Sequence, residues 1–274
     1  MGKIKNIPFR VFCYVIVFLF LFIYLFPLFF VANTSLKSAQ DYLLHPTALT
    51  STWSFGNYIT AWNKANFGAY IGNSILYTGV CTICSLLLSL LIAFPISRKY
   101  VPGAGFLYLL FLCGLFLPNG MIPTFQMVLN MGLYDTKIGY MLVMTGVNAT
   151  SVFFFTGYFK SIPRELDEAA AIDGCGYLRY VIRCIVPLAQ PAMVSMGMLS
   201  MIGVWNDIVS STIYLTSESN YNITRGLFVF TGQYSNDWTL TAAGLLVVAA
   251  PLILIYIFGQ RYIVDGVMAG GLKG

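Results

Sequence analysis

Charge is absent from long stretches of this chain. Val11–Val31, Ala65–Ser97, Tyr100–Tyr134, Ile138–Phe159, Cys184–Asn206 and Trp238–Gln260 contain no Asp, Glu, Lys or Arg. A helix needs about 20 apolar residues to cross the roughly 30 Å hydrocarbon layer of a bilayer. The pattern therefore predicts six transmembrane helices, over approximately 11–31, 70–97, 104–123, 138–159, 188–210 and 239–260, in an all-α membrane protein whose single transmembrane domain covers 1–274. The first run follows Lys3, Lys5 and Arg10, as the core of a signal peptide would. It is longer than the about 7–15 residues of such cores and more aromatic, so it reads as a retained span.

Between the spans the chain is uneven. The segment from Ala32 to Tyr70 is polar, aromatic and rich in turn formers, which suits an extracytoplasmic cap with short helices, and His45 beside Pro46 reads as a loop residue. "RKYVPG" makes a tight turn between the second and third spans. "LPNGMIP", Leu117–Pro123, interrupts the third. Either the span ends there, or a broken helix borders the translocation path, where freed backbone groups must be satisfied by protein or a water-lined cavity. The loop before the sixth span contains Asn222-Ile223-Thr224, a glycosylation sequon that counts only in a secretory eukaryotic setting.

Composition and charge agree with a membrane protein. The chain is 58% hydrophobic and 9% charged, with a mean hydropathy of +0.77, against about 25% charged residues in soluble domains. With the N-terminus inside, Lys3, Lys5, Arg10, Arg98, Lys99, Lys160, Arg164, Arg179, Arg183, Arg261 and Lys273 are cytoplasmic, eleven of the fifteen basic residues. That bias places both termini in the cytoplasm. It also accounts for the net charge of +5 without nucleic acid. The six cysteines add little: Cys81-x-x-Cys84 lies in an apolar run without a second pair, a poor metal or redox site.

One loop is too long for a turn and too polar for a span. Residues 160–187 include "EAAAIDGCGYLRYVIRCIVP". Pro163 suits a first helical turn, Glu165, Asp167 and Glu168 complement the helix dipole, and Ala169–Ala171 favour helix up to a stop at Gly174. Beyond it, Leu178, Val181, Ile182 and Ile185 form a helical stripe, Arg179 and Arg183 lie on another face, and Pro187 ends the segment. An amphipathic elbow resting on headgroups would show the same stripe and arginines. It would not show an acidic tip of small residues, which anionic lipid repels and a socket on another protein accepts.

This loop resembles the EAA loop of permease subunits in binding-protein-dependent ABC importers: Glu-Ala-Ala, three residues, Gly, nine residues, Ile, one residue, Leu-Pro. Glu168-Ala169-Ala170, Gly174 and Pro187 match, while Cys184 and Val186 replace Ile and Leu with other apolar residues. "FGNYITAWNKANFGAYIGNSILYT" (Phe55–Thr78), "GVWND" (Gly203–Asp207) and the tail "QRYIVDGVMAGGLKG" resemble the second permease subunit of maltose-type carbohydrate importers. The resemblance implies a type I importer permease fold, with five core spans and the N-terminal helix packed outside. It implies a bacterial cytoplasmic membrane, a second permease subunit, two cytoplasmic ATPase subunits, and an extracytoplasmic sugar-binding protein. ATP and Mg belong to the ATPase; the chain, with no G-x-x-x-x-G-K-[ST] loop, is expected to be no enzyme and to hold no cofactor or metal. Glu168, Ala169, Ala170, Asp173, Gly174 and Pro187 would couple to the ATPase, and Gly270, Gly271 and Lys273 of the cytoplasmic tail 261–274 would contact it.

Asp207 is the one carboxylate that could lie within a span, and ionisable residues at such depth are functional candidates. With Trp205 and Asn206 it could line a substrate path, offering hydrogen bonds and an aromatic ring to a sugar. Alternatively Asp207 caps a loop at headgroup level and Trp205 is an interfacial belt residue. An ion-coupled carrier or channel is the other class this hydropathy allows, but it should carry more ionisable groups within its spans.

Overall fold

The computed structural model describes residues 7–271 apart from 52, 118–119 and 231–236, with the backbone alone at 7–8, 258 and 261–271. Pro118 and Asn119 of the predicted interruption, and Lys3, Lys5 and Lys273, therefore lie outside the described residues. All regular secondary structure among the described residues is helical. Two compact units are distinguishable: Met1–Gly68 with Gly226–Ala250, and Ala69–Arg225 with Pro251–Gly274.

The first unit opens with α1 (Ile7–Ser35), whose side chains from Phe9 to Phe29 are exposed and almost all apolar. The expected short helices follow, α2 (Ala39–Leu44), capped by the Ser38 hydroxyl, and α3 (Gly56–Lys64). They are knotted to the end of α1 by polar side chains. Asn57 Nδ2 donates to the carbonyls of Ser35 and Lys37, at 2.8 and 2.7 Å, and Asn33 bonds both Ala48 and Thr50. Lys37 is 0% exposed, and its ammonium donates to the carbonyls of His45 (2.5 Å) and Pro46 (3.0 Å). Its role here is internal capping as well as charge. Lys37→Ala should destabilise this unit by about 2–4 kcal/mol, because two carbonyls lose their donor at about 1–3 kcal/mol each. Limited proteolysis of 36–58 should read it as faster cleavage; wild-type resistance would refute it.

The second unit contains α4 (Phe67–Arg98, from Ala69 on), α5 (Ala104–Gly114), α6 (Met121–Asn130), α7 (Lys137–Met144) and α8 (Ala149–Ser161). Then come α9 (Glu165–Ile172) and α10 (Tyr177–Leu188), the latter π-helical over Val181–Ile185. α11 (Gln190–Trp205), α12 (Val209–Tyr214) and α13 (Ile223–Gly226) complete the sequence before α14 (Trp238–Gly271), which the Asp237 carboxylate caps through the Leu240 N–H. Two cores hold the unit. One packs the C-terminal half of α4 (Leu90, Phe94) on α8 (Phe155, Phe159), α10 (Val181, Ile185) and the start of α11. The other gathers Tyr77, Cys81, Val128, Tyr140 and Val204 around α4's N-terminal half.

Three helices, Phe9–Ser35, Phe67–Arg98 and Trp238–Ile257, are long and apolar enough to cross a membrane alone, and bent pairs raise the count to five among the described residues. The predicted spans break where the backbone has reason to. The third stops at Gly114 rather than 123, leaving an 11-residue helix of about 16 Å; a new helix starts after Gly120, with Pro123 in its first turn. The fourth is two helices meeting at 49° across Thr145–Asn148, where the Asn148 carboxamide caps α8. α10 and α11 meet at 75°, so the fifth predicted span, 188–210, is helical only over Gln190–Trp205 before Asn206 ends it.

Candidate functional site

The 160–187 loop folds as a helical elbow. α9 carries Glu165, Asp167 and Glu168 in its first turn, and Pro163 lies just ahead of it rather than inside. Its end is a Schellman turn: the Gly174 N–H reaches the Ala171 carbonyl at 3.1 Å and the Cys175 N–H the Ala170 carbonyl at 2.9 Å. Gly174 has φ +67°, a left-handed conformation that a Cβ disfavours. Glu168, Ala169, Asp173 and Gly174 face outward, as does Ile172, 86% exposed. Ala170 turns inward with Cys175 and packs on the core. The elbow thus presents a bare tip of carboxylates and small residues on a buried base.

The second half departs from the predicted stripe. Val181 and Ile185 are buried, but Leu178 and Ile182 are exposed, and Tyr180 takes the inward position instead. The cause is the π turn, closed by a Val186 N–H to Val181 carbonyl bond, which adds a residue and shifts the phase. Pro187 does not end the segment: the helix runs through it to Leu188, and the bend falls at Ala189. Pro187 is exposed.

A second site lies where α7, α8, α11 and α12 approach one another. A cavity of about 490 Å³ is lined by Met121, Thr124, Met144, Asp207, Ser210 and Tyr214. Gly146, in the break between α7 and α8, lines this hollow and its two neighbours, one beside Ser85 and Met196, the other beside Gly114 and Leu115. The end of α5 and the start of α6 thus both border open space.

Trp205, Asn206 and Asp207 do not act as one group. Trp205 is 3% exposed and does not line the cavity, Asn206 is exposed, and Asp207 alone faces the hollow. Asp207 is heavily engaged: its carboxylate accepts from the Ser210 and Ser211 N–H groups (3.1 and 2.8 Å), capping α12, and from the Tyr140 hydroxyl (3.0 Å). Asn222 Nδ2 donates to the Asp207 carbonyl (2.7 Å) and the Thr224 hydroxyl to that of Trp205 (2.6 Å). The sequon asparagine is 2% exposed and so engaged, which leaves no room for a glycan.

Sequence reasoning missed Asp135. It accepts from the N–H groups of Thr216 and Ser217 at 2.8 and 2.9 Å, and from the Ser217 hydroxyl, while Asn220 donates to its carbonyl. Burial acts to raise its pKa, but these hydrogen bonds outweigh that and hold the carboxyl well below the usual carboxylate range. The 215–222 loop is thereby fixed to the turn before α7. In the tail, α14 continues as helix through Gly270 and Gly271.

Residues 1–268 match the model of the family described as binding-protein-dependent transport system inner membrane component, and the chain belongs to that family. Its members are membrane components of ABC transporters and not themselves enzymes. Among relatives, the diacetylchitobiose uptake system permease protein NgcG of Streptomyces coelicolor is 30% identical, over 90% of this chain and 83% of that protein. The melibiose/raffinose/stachyose import permease protein MelC of Bacillus subtilis is 28% identical, over 90% and 91%. The fold matches, with a TM-score of 0.85 at 22% identity over 96% of this chain and 99% of the other, the crystal structure of a bacterial ABC transporter involved in the import of the acidic polysaccharide alginate.

Proposed function

We propose that the chain is the permease subunit of an ATP-driven importer of oligosaccharide-type carbohydrates. Family membership supports transport through an ABC assembly over an ion-coupled carrier, and the relatives named above take up sugars. In this reading the chain crosses the cytoplasmic membrane six times with both termini inside, in keeping with the distribution of its basic residues. The short α5, with its broken continuation, serves as the third crossing beside a second permease subunit. An extracytoplasmic binding protein delivers the sugar, and two ATPase subunits bind and hydrolyse ATP.

The observation that carries the reading is the elbow: a base packed in the core and a bare tip of Glu168, Ala169, Ile172, Asp173 and Gly174. Such a tip fits a socket on a cytoplasmic ATPase, with the carboxylates meeting basic or amide groups. Ala170 contributes by seating α9, and Pro187 by stiffening the second half. Gly270, Gly271 and Lys273 would insert between the ATPase subunits. The test is reconstitution of all subunits in proteoliposomes. Uptake should require ATP and survive ionophores, and deleting Met268–Gly274 should lower it several-fold, the usual range of coupling between sites being about 5–150-fold. Uptake driven by an ion gradient without ATP would overturn the proposal; wild-type rates after the deletion would remove the tail from it.

A further inference from the structure

Beneath the elbow lies a buried polar cluster that the coupling tip does not use. Arg98, the last residue of α4, has a side chain 2% exposed, with Nε 2.8 Å from Asp167 Oδ2 of α9, itself 11% exposed. Nη1 donates to the carbonyl of Ile162, between α8 and α9, at 3.1 Å. The Tyr180 hydroxyl of α10 donates to the other carboxylate oxygen, Oδ1. The Phe94 ring lies 5.9 Å from the guanidinium carbon, and Tyr180 packs on that ring. Four chain segments thus meet at one ion pair. Arg98 is not fully matched: Nη2 has no hydrogen-bond partner among the described residues, and the Nε contact is an ion pair without hydrogen-bond alignment.

A buried pair of this kind is weak support for stability, since desolvation offsets the attraction; its best-attested use is to fix one arrangement among several. The apolar contacts of the elbow's base hold it at a distance but are non-directional, and would let α9 swivel. A planar guanidinium gripping a carboxylate and a carbonyl supplies direction.

We propose that Asp167, Arg98 and Tyr180 are positioning residues that lock the elbow to the end of α4, so that displacement of the tip turns the second span instead of dissipating in the loop. The inference rests on the coupling role proposed for α9.

The test uses the whole transporter in proteoliposomes, measuring sugar uptake and ATP hydrolysis together. Asp167→Asn and Tyr180→Phe should leave the ATPase bound and hydrolysing, while uptake per ATP falls about fivefold or more, the lower end of inter-site coupling. Arg98→Met combined with Asp167→Leu replaces the pair by apolar side chains of similar bulk and should keep the wild-type melting temperature, yet uptake per ATP should stay low. Recovery of both quantities in the double variant would make the cluster merely structural and overturn the lock, as would a wild-type ratio in Tyr180→Phe. Should Asp167→Asn fail to assemble, the double variant and Tyr180→Phe decide alone. A wild-type complex that hydrolyses ATP without any sugar uptake would instead overturn the coupling reading beneath it.

Discussion

Gly174→Val is expected to lower uptake at least about tenfold while leaving the helices in place. Nothing lies within 4 Å of a Cβ built at Gly174, so a clash is not the reason. The reason is conformational: φ is +67°, and a β-branched residue there is strained by about 1–3 kcal/mol, enough at about 1.4 kcal/mol per decade to depopulate the present turn about tenfold or more. α9 would end differently, and Asp173 and Glu168 would no longer share one face. Asn tolerates the left-handed region better than other non-glycine residues, so activity should fall in the order Gly, Asn, Ala, Val. Glu168→Lys offers a second route, reversing charge at the tip without touching the backbone. Binding-protein-stimulated ATP hydrolysis and co-purification of the ATPase are the readouts. Wild-type values in both Gly174→Val and Glu168→Lys would remove the tip from the coupling path.

Asp207→Ala is expected to cost about 2–4 kcal/mol, which combines loss of a helix cap at about 1 kcal/mol with a Tyr140 hydroxyl left without its acceptor at about 1–3 kcal/mol. Asp207→Asn should cost much less, because an amide oxygen still accepts from Ser210 and Ser211 and asparagine caps helices as well as aspartate. Melting temperature and uptake should therefore fall together in the alanine variant and stay near wild type in the asparagine one. A changed apparent affinity for sugar in Asp207→Asn, with coupling intact, would instead make the carboxylate a sugar ligand. Trp205 offers no ring to a substrate in this arrangement, since its side chain is buried.

Why Asp207 misled the sequence reading is instructive. A charge in an apolar run signals depth and says nothing about partners 67 residues away, such as Tyr140. Arg98 and Asp167, also distant in sequence, each read as ordinary surface charges for the same reason, and Lys37 as a plain outer lysine. What depends on local sequence was legible. Uncharged runs marked the long helices, the glycine after an alanine-rich turn marked the Schellman stop, and the Pro and Gly of Leu117–Pro123 marked a real break. The break at Thr145–Asn148 escaped because those residues are uncharged and a hydropathy run passes over them, although a glycine followed by a capping asparagine is a stop-and-start signal. The π turn escaped because its residues, VIRCI, would suit an ordinary helix equally well; only the Tyr180 contact with Asp167 and the packing of Val181 and Ile185 select it.

That turn makes chain length between Gly174 and Ala189 a mechanical dimension of the protein. A π turn stores one residue more than an α-helix uses for the same rise. Deleting any one residue of Val181–Ile185 would let the helix rewind and rotate everything beyond it by about 100°. The base of the elbow is fixed to α4 and α8, so the rotation would fall on α11, where Gly197 faces the Leu86 side chain and a Cβ would come within 3.2 Å of it. Side chains in this stretch are exchangeable to the extent that they keep their bulk, as Cys184 and Val186 illustrate in place of Ile and Leu; the number of residues is not.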